Sequence, residues 1–149
     1  MKTELVMHWM SYEPITVTPG TGLHDADNIL YKYDIRRLPV VNENGKLVGI
    51  VTRGDIREAS PSDATSLTVW EINHLLDKLK IKDIMTPHPI TVYTTDTITK
   101  AANLMLENKV SGLPVVDPAN GTLKGIITES DIFRLVVQCA GYFAHPSRK

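Results

Sequence analysis

The chain has 149 residues, 42% of them apolar and 22% charged, with nine glycines and nine prolines, the balance of a folded chain with a core to bury. Sixteen Lys and Arg against seventeen Asp and Glu leave a net charge of −1, which argues against a nucleic-acid partner held by bulk positive charge. Mean hydropathy is −0.09, no apolar run reaches the roughly 18 residues of a membrane span, Met1-Lys2-Thr3-Glu4 opens no secretory leader, and the lone Cys139 excludes an internal disulfide framework, so a cytoplasmic protein with no membrane partner is expected.

Along the chain, Ile15-Thr16-Val17 is a β-branched run after Pro14 and predicts a short strand. Gly20-Thr21-Gly22 hints at a phosphate loop, but it lacks the third glycine and the strand context of a dinucleotide fingerprint. Turn chemistry followed by a helix start explains it better. From Leu23 to Tyr33 the apolar residues Leu23, Ala26, Ile29, Leu30 and Tyr33 fall on one helical face. Leu38 to Val41 and Leu47 to Thr52 flank Asn42-Glu43-Asn44-Gly45, a hairpin signal because Asn and Gly tolerate positive φ. A short helix is predicted from about Gly54. Ser60-Pro61-Ser62-Asp63 reads as a turn or helix start, and Thr68 with Glu71 has capping-box spacing. Trp70, Ile72, Leu75, Leu76 and Leu79 then predict an amphipathic helix, so residues 60–80 form a structured linker.

The rest of the chain repeats the first part. Pro14-Ile15-Thr16-Val17 recurs as Pro89-Ile90-Thr91-Val92, and Met10 as Met85, 75 residues on. Leu38-Pro39-Val40-Val41 recurs as Leu113-Pro114-Val115-Val116. After one inserted residue, Gly45, Gly49, Thr52 and Asp55 return as Gly121, Gly125, Thr128 and Asp131. Ile98, Ala101, Ala102, Leu104, Met105 and Leu106 give the second copy a broad apolar helix, Asn120-Gly121 repeats the hairpin, and a last helix is predicted from about Ser130. The fold class is therefore α/β (α+β), with the order β-α-β-β-α twice over. The copies span 1–59 and 81–140, and the polar tail 141–149 is expected to fray. Units this short bury little surface alone, so the two are expected to pack with pseudo-two-fold symmetry.

Two segments could carry chemistry, Gly49-Ile50-Val51-Thr52-Arg53-Gly54-Asp55 and Gly125-Ile126-Ile127-Thr128-Glu129-Ser130-Asp131. Each sets Thr at a strand end and Asp three residues later at a helix start. A helix N-terminus suits a phosphate, and a carboxylate can accept from both vicinal hydroxyls of a ribose. Thr with Asp three on is equally a plain N-cap with an acid on the helix dipole. The histidines His8, His24, His74, His88 and His145 show no ligand spacing, so no metal is assigned. Cys139 lies in the apolar stretch Leu135 to Ala140 and reads as a small core residue rather than a nucleophile. No catalytic group is assigned.

The combined pattern of Met-Thr-x-x-Pro-Ile-Thr-Val, an amphipathic helix, Leu-Pro-Val-Val-Asp, Asn-Gly and Gly-Ile-Ile-Thr-Glu-Ser-Asp-Ile resembles a CBS domain. The second copy carries it from Asp83-Ile84-Met85-Thr86 to Ile132-Phe133, and the first from Trp9-Met10-Ser11 to Asp55-Ile56. The chain thus resembles a small stand-alone CBS pair, or Bateman module. The resemblance implies a regulatory module, not an enzyme. It implies that AMP, ADP, ATP or S-adenosylmethionine binds in the cleft between the copies and that the change is passed to a protein partner. Under it Asp55 and Asp131 take ribose hydroxyls, and Thr52 and Thr128 bond ribose or phosphate. Ile15-Thr16-Val17 and Ile90-Thr91-Val92 line an adenine pocket. Arg36 and Arg37, and their counterparts Ser111 and Gly112, approach the phosphates. Arginines can pair with phosphate bidentately, so the two sites are expected to be unequal. Arg36-Arg37 also fits a solvated or salt-bridged pair. The resemblance further implies a homodimer through helices, a disk of four repeats, using the apolar Leu104, Met105, Phe133, Leu135 and Val136. The competing reading is a ligand-free structural or interaction module in which the Thr–Asp pairs are only caps.

Overall fold

The computed structural model describes residues 3–61 and 66–141. Its element order is β1 (Ser11–Tyr12), α1 (Leu23–Lys32), β2 (Arg37–Val41), β3 (Leu47–Thr52), α2 (Arg53–Ala59), α3 (Val69–Lys78), α4 (Ile81–Ile84), β4 (Thr86–Pro87), β5 (Val92–Tyr93), α5 (Ile98–Asn108), β6 (Gly112–Val116), β7 (Leu123–Thr128) and α6 (Glu129–Cys139). Two compact units result. The first is residues 15–89, and the second joins residues 1–14 to 90–149.

In the first unit the sheet order is β2-β3-β4, with Val17 bridging the outer edge of β2 in parallel. In the second it is β1-β7-β6-β5, with β5 parallel to β6. The central hairpins are antiparallel, with matching registers: Arg37 faces Thr52, and Gly112 faces Thr128. Gly45 and Gly121 turn them at φ 75° and 72°, a conformation that costs glycine nothing sterically.

The predicted helices form where the apolar spacing placed them, and α3 starts at the cap Thr68, which accepts from the Glu71 N–H. The last helix of the second copy runs eleven residues against seven in the first. The strand predicted over Ile15–Val17 reduces to a single bridge at Val17, and its counterpart falls at Val92–Tyr93 instead of Ile90–Val92. These segments run along one edge of a single neighbour, so few of their backbone groups find a ladder partner. Gly20 to Gly22 is the predicted turn, closed by Thr18 and Thr21, and Gly22 caps α1. Residues 62–65 of the linker turn and 142–149 of the tail, His145 among them, lie outside the described residues.

The largest departure from the sequence reading is an exchange of leading segments. The leading residues of the first copy build the second unit, and those of the second copy build the first. β1 pairs with β7, Tyr12 opposite Gly125, while β4 pairs with β3, Pro87 opposite Gly49. Neither position leaves free room for a side chain. A Cβ on Gly49 would meet Met85 Sδ at 2.5 Å, and one on Gly125 would collide with the Ser11 carbonyl and meet Met10 Sδ at 2.9 Å. The exchanged segments also supply carbonyls to helix starts, where intrahelical acceptors are lacking. The Leu79 carbonyl accepts from Leu23 N–H at 3.1 Å, and the Glu4 carbonyl from Ile98 N–H at 2.9 Å. The anchors Ile81 and Val6 are fully buried in the cores they join.

Each core lies between the sheet and the helices beside it, and in the first unit Leu76 of α3 and Ile81 of α4 help to close it. Leu23, Leu30, Leu38, Val51 and Ile56 fill the first, and Ile98, Met105, Leu113, Ile127 and Leu135 the second. Met105 and Leu135 were expected on the helix surfaces that make a dimer; they are core residues, because their helical face meets the sheet. Cys139 is exposed, contrary to its reading as a core residue, since it lies in the last turn of α6, beyond Leu135, the last buried position of that helix. No helix among the described residues is long and apolar enough to cross a membrane.

Candidate functional site

Within each unit the sequence-selected residues converge on one end of the sheet. In the first unit, Thr52 ends β3 and caps α2, and Arg37, its cross-strand partner, starts β2. Two residues back from the parallel Val17–Val40 bridge, Ile15 comes level with Leu38, beside that same end. The Arg36 carbonyl accepts from Arg53 N–H at 3.0 Å, tying the strand start to the helix start. The second unit repeats this with Ile90, Gly112 and Thr128, and the Ser111 carbonyl accepts from Glu129 N–H at 3.0 Å. Ile15 is 36% exposed and Ile90 39%, so each site end presents one branched apolar side chain. Thr16 and Thr91 are half-buried, while Val17 and Val92 point into the cores.

The acids act first as caps. Asp55 Oδ2 accepts from Thr52 N–H at 2.8 Å, and Thr52 Oγ1 accepts from Asp55 N–H at 3.1 Å. This reciprocal pair satisfies two donors at the helix start. In the second unit Asp131 Oδ2 accepts from both Thr128 N–H at 2.9 Å and Thr128 Oγ1 at 3.2 Å. Asp131 is the one buried polar residue among those described, at 4% exposure, and Arg134 Nη1 reaches its Oδ1 at 2.6 Å. Asp55 is half-buried, and its Oδ1 carries no hydrogen bond from a described residue.

The surrounding charges differ as well. Arg36 is exposed and Arg37 half-buried in the first unit, where Arg53 Nη2 donates to the Leu30 carbonyl at 3.1 Å and to Asp34 at 3.2 Å. At the equivalent places the second unit has Ser111, Gly112 and Glu129. α2 is only seven residues long, so a phosphate at that end would lean on arginine charge more than on helix dipole. Sequence reasoning missed Arg134, Glu129 and Arg53. The signal for Arg134 was its i, i+3 spacing from Asp131 on one helix face.

The family model of the CBS domain matches residues 5–62 and 81–138. The uncharacterized protein MJ1225 of Methanocaldococcus jannaschii is 34% identical over 140 residues, which cover 89% of this chain and 47% of that protein. The chain therefore spans about half the length of that relative, and relatives named as enzymes are matched over 21–23% of their length. Among solved structures, CBSX2 of Arabidopsis thaliana in complex with AMP is 32% identical with a TM-score of 0.76, over 92% of this chain and 98% of that one. The CBS domain pair of protein MJ0100, in complex with 5′-methylthioadenosine and S-adenosyl-L-methionine, is 36% identical with a TM-score of 0.73, over 90% and 96%.

Proposed function

This chain belongs to the CBS-domain family, with two CBS domains in tandem, and we propose that it is a regulatory sensor of an adenosine-containing ligand rather than a catalyst. The observation that carries the reading is the convergence, in each unit, of an exposed isoleucine, a strand start and a Thr-x-x-Asp helix start at one sheet end. The AMP complex of CBSX2 and the S-adenosyl-L-methionine complex of the MJ0100 pair support the ligand class.

Each residue then has a chemical role. The backbone beside Ile15-Thr16-Val17, and beside Ile90-Thr91-Val92, offers an adenine an apolar wall and polar edges. Asp55 and Asp131 accept ribose hydroxyls, with Thr52 and Thr128 beside them. Arg36 and Arg37 favour a nucleotide with several phosphate charges, AMP, ADP or ATP. Ser111 and Gly112 offer a hydroxyl and a backbone N–H, and Glu129 repels phosphate, so the second unit suits a weakly charged or cationic ligand such as S-adenosylmethionine. The ligand shifts the protein between states only as far as it binds one better than the other, and a protein partner reads the result. The chain associates as a homodimer through its helices; Leu106, Phe133 and Val136 are exposed apolar residues on α5 and α6, and a monomeric sedimentation mass at micromolar concentration would contradict this.

The test is isothermal titration of the full chain with AMP, ADP, ATP and S-adenosylmethionine, repeated with Asp55→Ala and Asp131→Ala. Saturable binding that either substitution weakens by about tenfold or more supports the sensor. The second reading, a ligand-free interaction module, draws on the capping bonds of both acids. It predicts no binding to any of the four and a loss of stability alone in both variants.

A further inference from the structure

The two carboxylates proposed to take ribose differ in how much of their accepting capacity the protein already uses. An ionised carboxylate has about four acceptor positions. Among the described residues, Asp131 accepts three hydrogen bonds, two on Oδ2 from Thr128 and one on Oδ1 from Arg134. Asp55 accepts one from the described residues, that of Thr52 N–H. A vicinal diol donates two. Asp55 can accept both with its partners in place; Asp131 can accept both only if a present donor leaves.

The donor able to leave is Arg134. The Thr128 N–H is fixed in the backbone and the Thr128 hydroxyl sits beside the same Oδ2, whereas the Arg134 side chain is 63% exposed and reaches back one turn along α6 to a carboxylate that is 6% exposed. The arginine can be exchanged because water solvates its exposed guanidinium while the incoming diol takes its place on the buried carboxylate, which would be costly to leave unpaired. The first copy has no equivalent. The frame Thr128-x-x-Asp131-x-x-Arg134 reads Thr52-x-x-Asp55-x-x-Glu58 there, and an acid at that place cannot donate to Asp55.

We infer that Arg134 is a specificity-determining residue, a latch that occupies Asp131 and makes the second unit the weaker, later-filling site for a vicinal diol. This rests on the proposed reading that the two acids accept ribose hydroxyls. The first unit fills first because Asp55 is already open on one oxygen. The second fills when Arg134 swings to solvent. A ligand with an anionic tail can recruit the released guanidinium, so the latch penalises neutral nucleosides more than anionic ones.

The experiment uses adenosine, which carries the diol without a phosphate, on the full chain and on Arg134→Ala and Glu58→Arg, with 2′-deoxyadenosine as control. Both substitutions are at exposed positions, and circular dichroism confirms folding. The expected result is one tight adenosine site in the unsubstituted chain, abolished by Asp55→Ala. Arg134→Ala should add a second site or tighten the weak one by about fivefold. Glu58→Arg, which installs the latch in the other copy, should weaken the tight site by a similar factor. Neither change should alter 2′-deoxyadenosine binding, a selectivity that a merely structural arginine would not produce. Two equal sites in the unsubstituted chain, or the same gain for 2′-deoxyadenosine, overturns the latch and leaves the sensor standing. So does adenosine or AMP binding that Arg134→Ala does not change. No binding of adenosine or AMP to any variant overturns both.

Discussion

The starts of α2 and α6 share the Thr-x-x-Asp frame and differ in what completes it. At α2 the hydroxyl and the carboxylate of one pair cap each other, and an oxygen of Asp55 takes no hydrogen bond from a described residue. At α6 the same carboxylate is buried and bound on both oxygens, one of them to Arg134. A duplicated motif therefore conserves a backbone solution while its chemistry diverges. The helix must be capped in both copies, so the frame is kept; the residue one turn on, Glu58 or Arg134, is under no such demand and decides what the acid can still do. The basic pair Arg36-Arg37 set against Ser111-Gly112 carries the same divergence to the strand start.

The docking of the exchanged segments separates the units most. At Gly125 an added methyl meets a backbone carbonyl, that of Ser11, while at Gly49 the nearest atom is the flexible end of Met85. Gly125→Ala should therefore cost about 2–3 kcal/mol and Gly49→Ala about 1 kcal/mol. Urea denaturation followed by circular dichroism measures both, and equal losses would mean that both strands shift with equal ease. Next in size is the cap. Thr52→Ala removes the acceptor of the Asp55 N–H and should cost about 1 kcal/mol. Thr128→Ala should cost less, because the Thr128 hydroxyl donates to an acid that keeps its backbone and Arg134 partners. A larger loss at Thr128 would reverse the assignment of the two caps. The smallest effect lies at the ends of the first helices. Lys109 closes α5 at φ 54°, and its counterpart Asp34 stands at φ 49° and also pairs with Arg53. Left-handed backbone strains a side-chain-bearing residue, and glycine relieves it at some entropic cost. Lys109→Gly should therefore raise stability by about 0.5 kcal/mol. Asp34→Gly, which also loses an ion pair, should gain less; thermal melts of the two variants side by side would show it.

Helices and hairpins were legible in the sequence because their signals are local. Asn44-Gly45 and Asn120-Gly121 name their turns, Thr68 and Glu71 name a cap, and the i, i+3, i+4 spacing from Leu23 names a face. β1 and β4 were not. Two residues show no periodicity, and Ser11 and Tyr12 find their partners more than a hundred residues on, at Ile126 and Gly125. What the sequence did hold was Gly49 and Gly125, each followed by a β-branched run, a sign of close backbone approach. At the site, the Thr–Asp frames and the strand starts were legible from the duplication itself. The Arg134 pair was not, because the repeat drew attention to what the copies share, and Arg134 is where they differ. Cys139 was misplaced for a related reason: an apolar stretch in one dimension says nothing about where a helix outruns its core.

The exchange of leading segments has a consequence for how such a chain could arise and divide. A single copy on its own would start with a strand that has no sheet to join and would carry a sheet edge that lacks its last strand. In this chain each copy supplies the edge strand of the other's sheet. A cut through the linker at residues 60–80 therefore does not release two domains, since each fragment keeps its neighbour's edge strand and loses its own. The heritable unit here is the pair, and either copy is free to change its chemistry only while it goes on finishing the other's sheet.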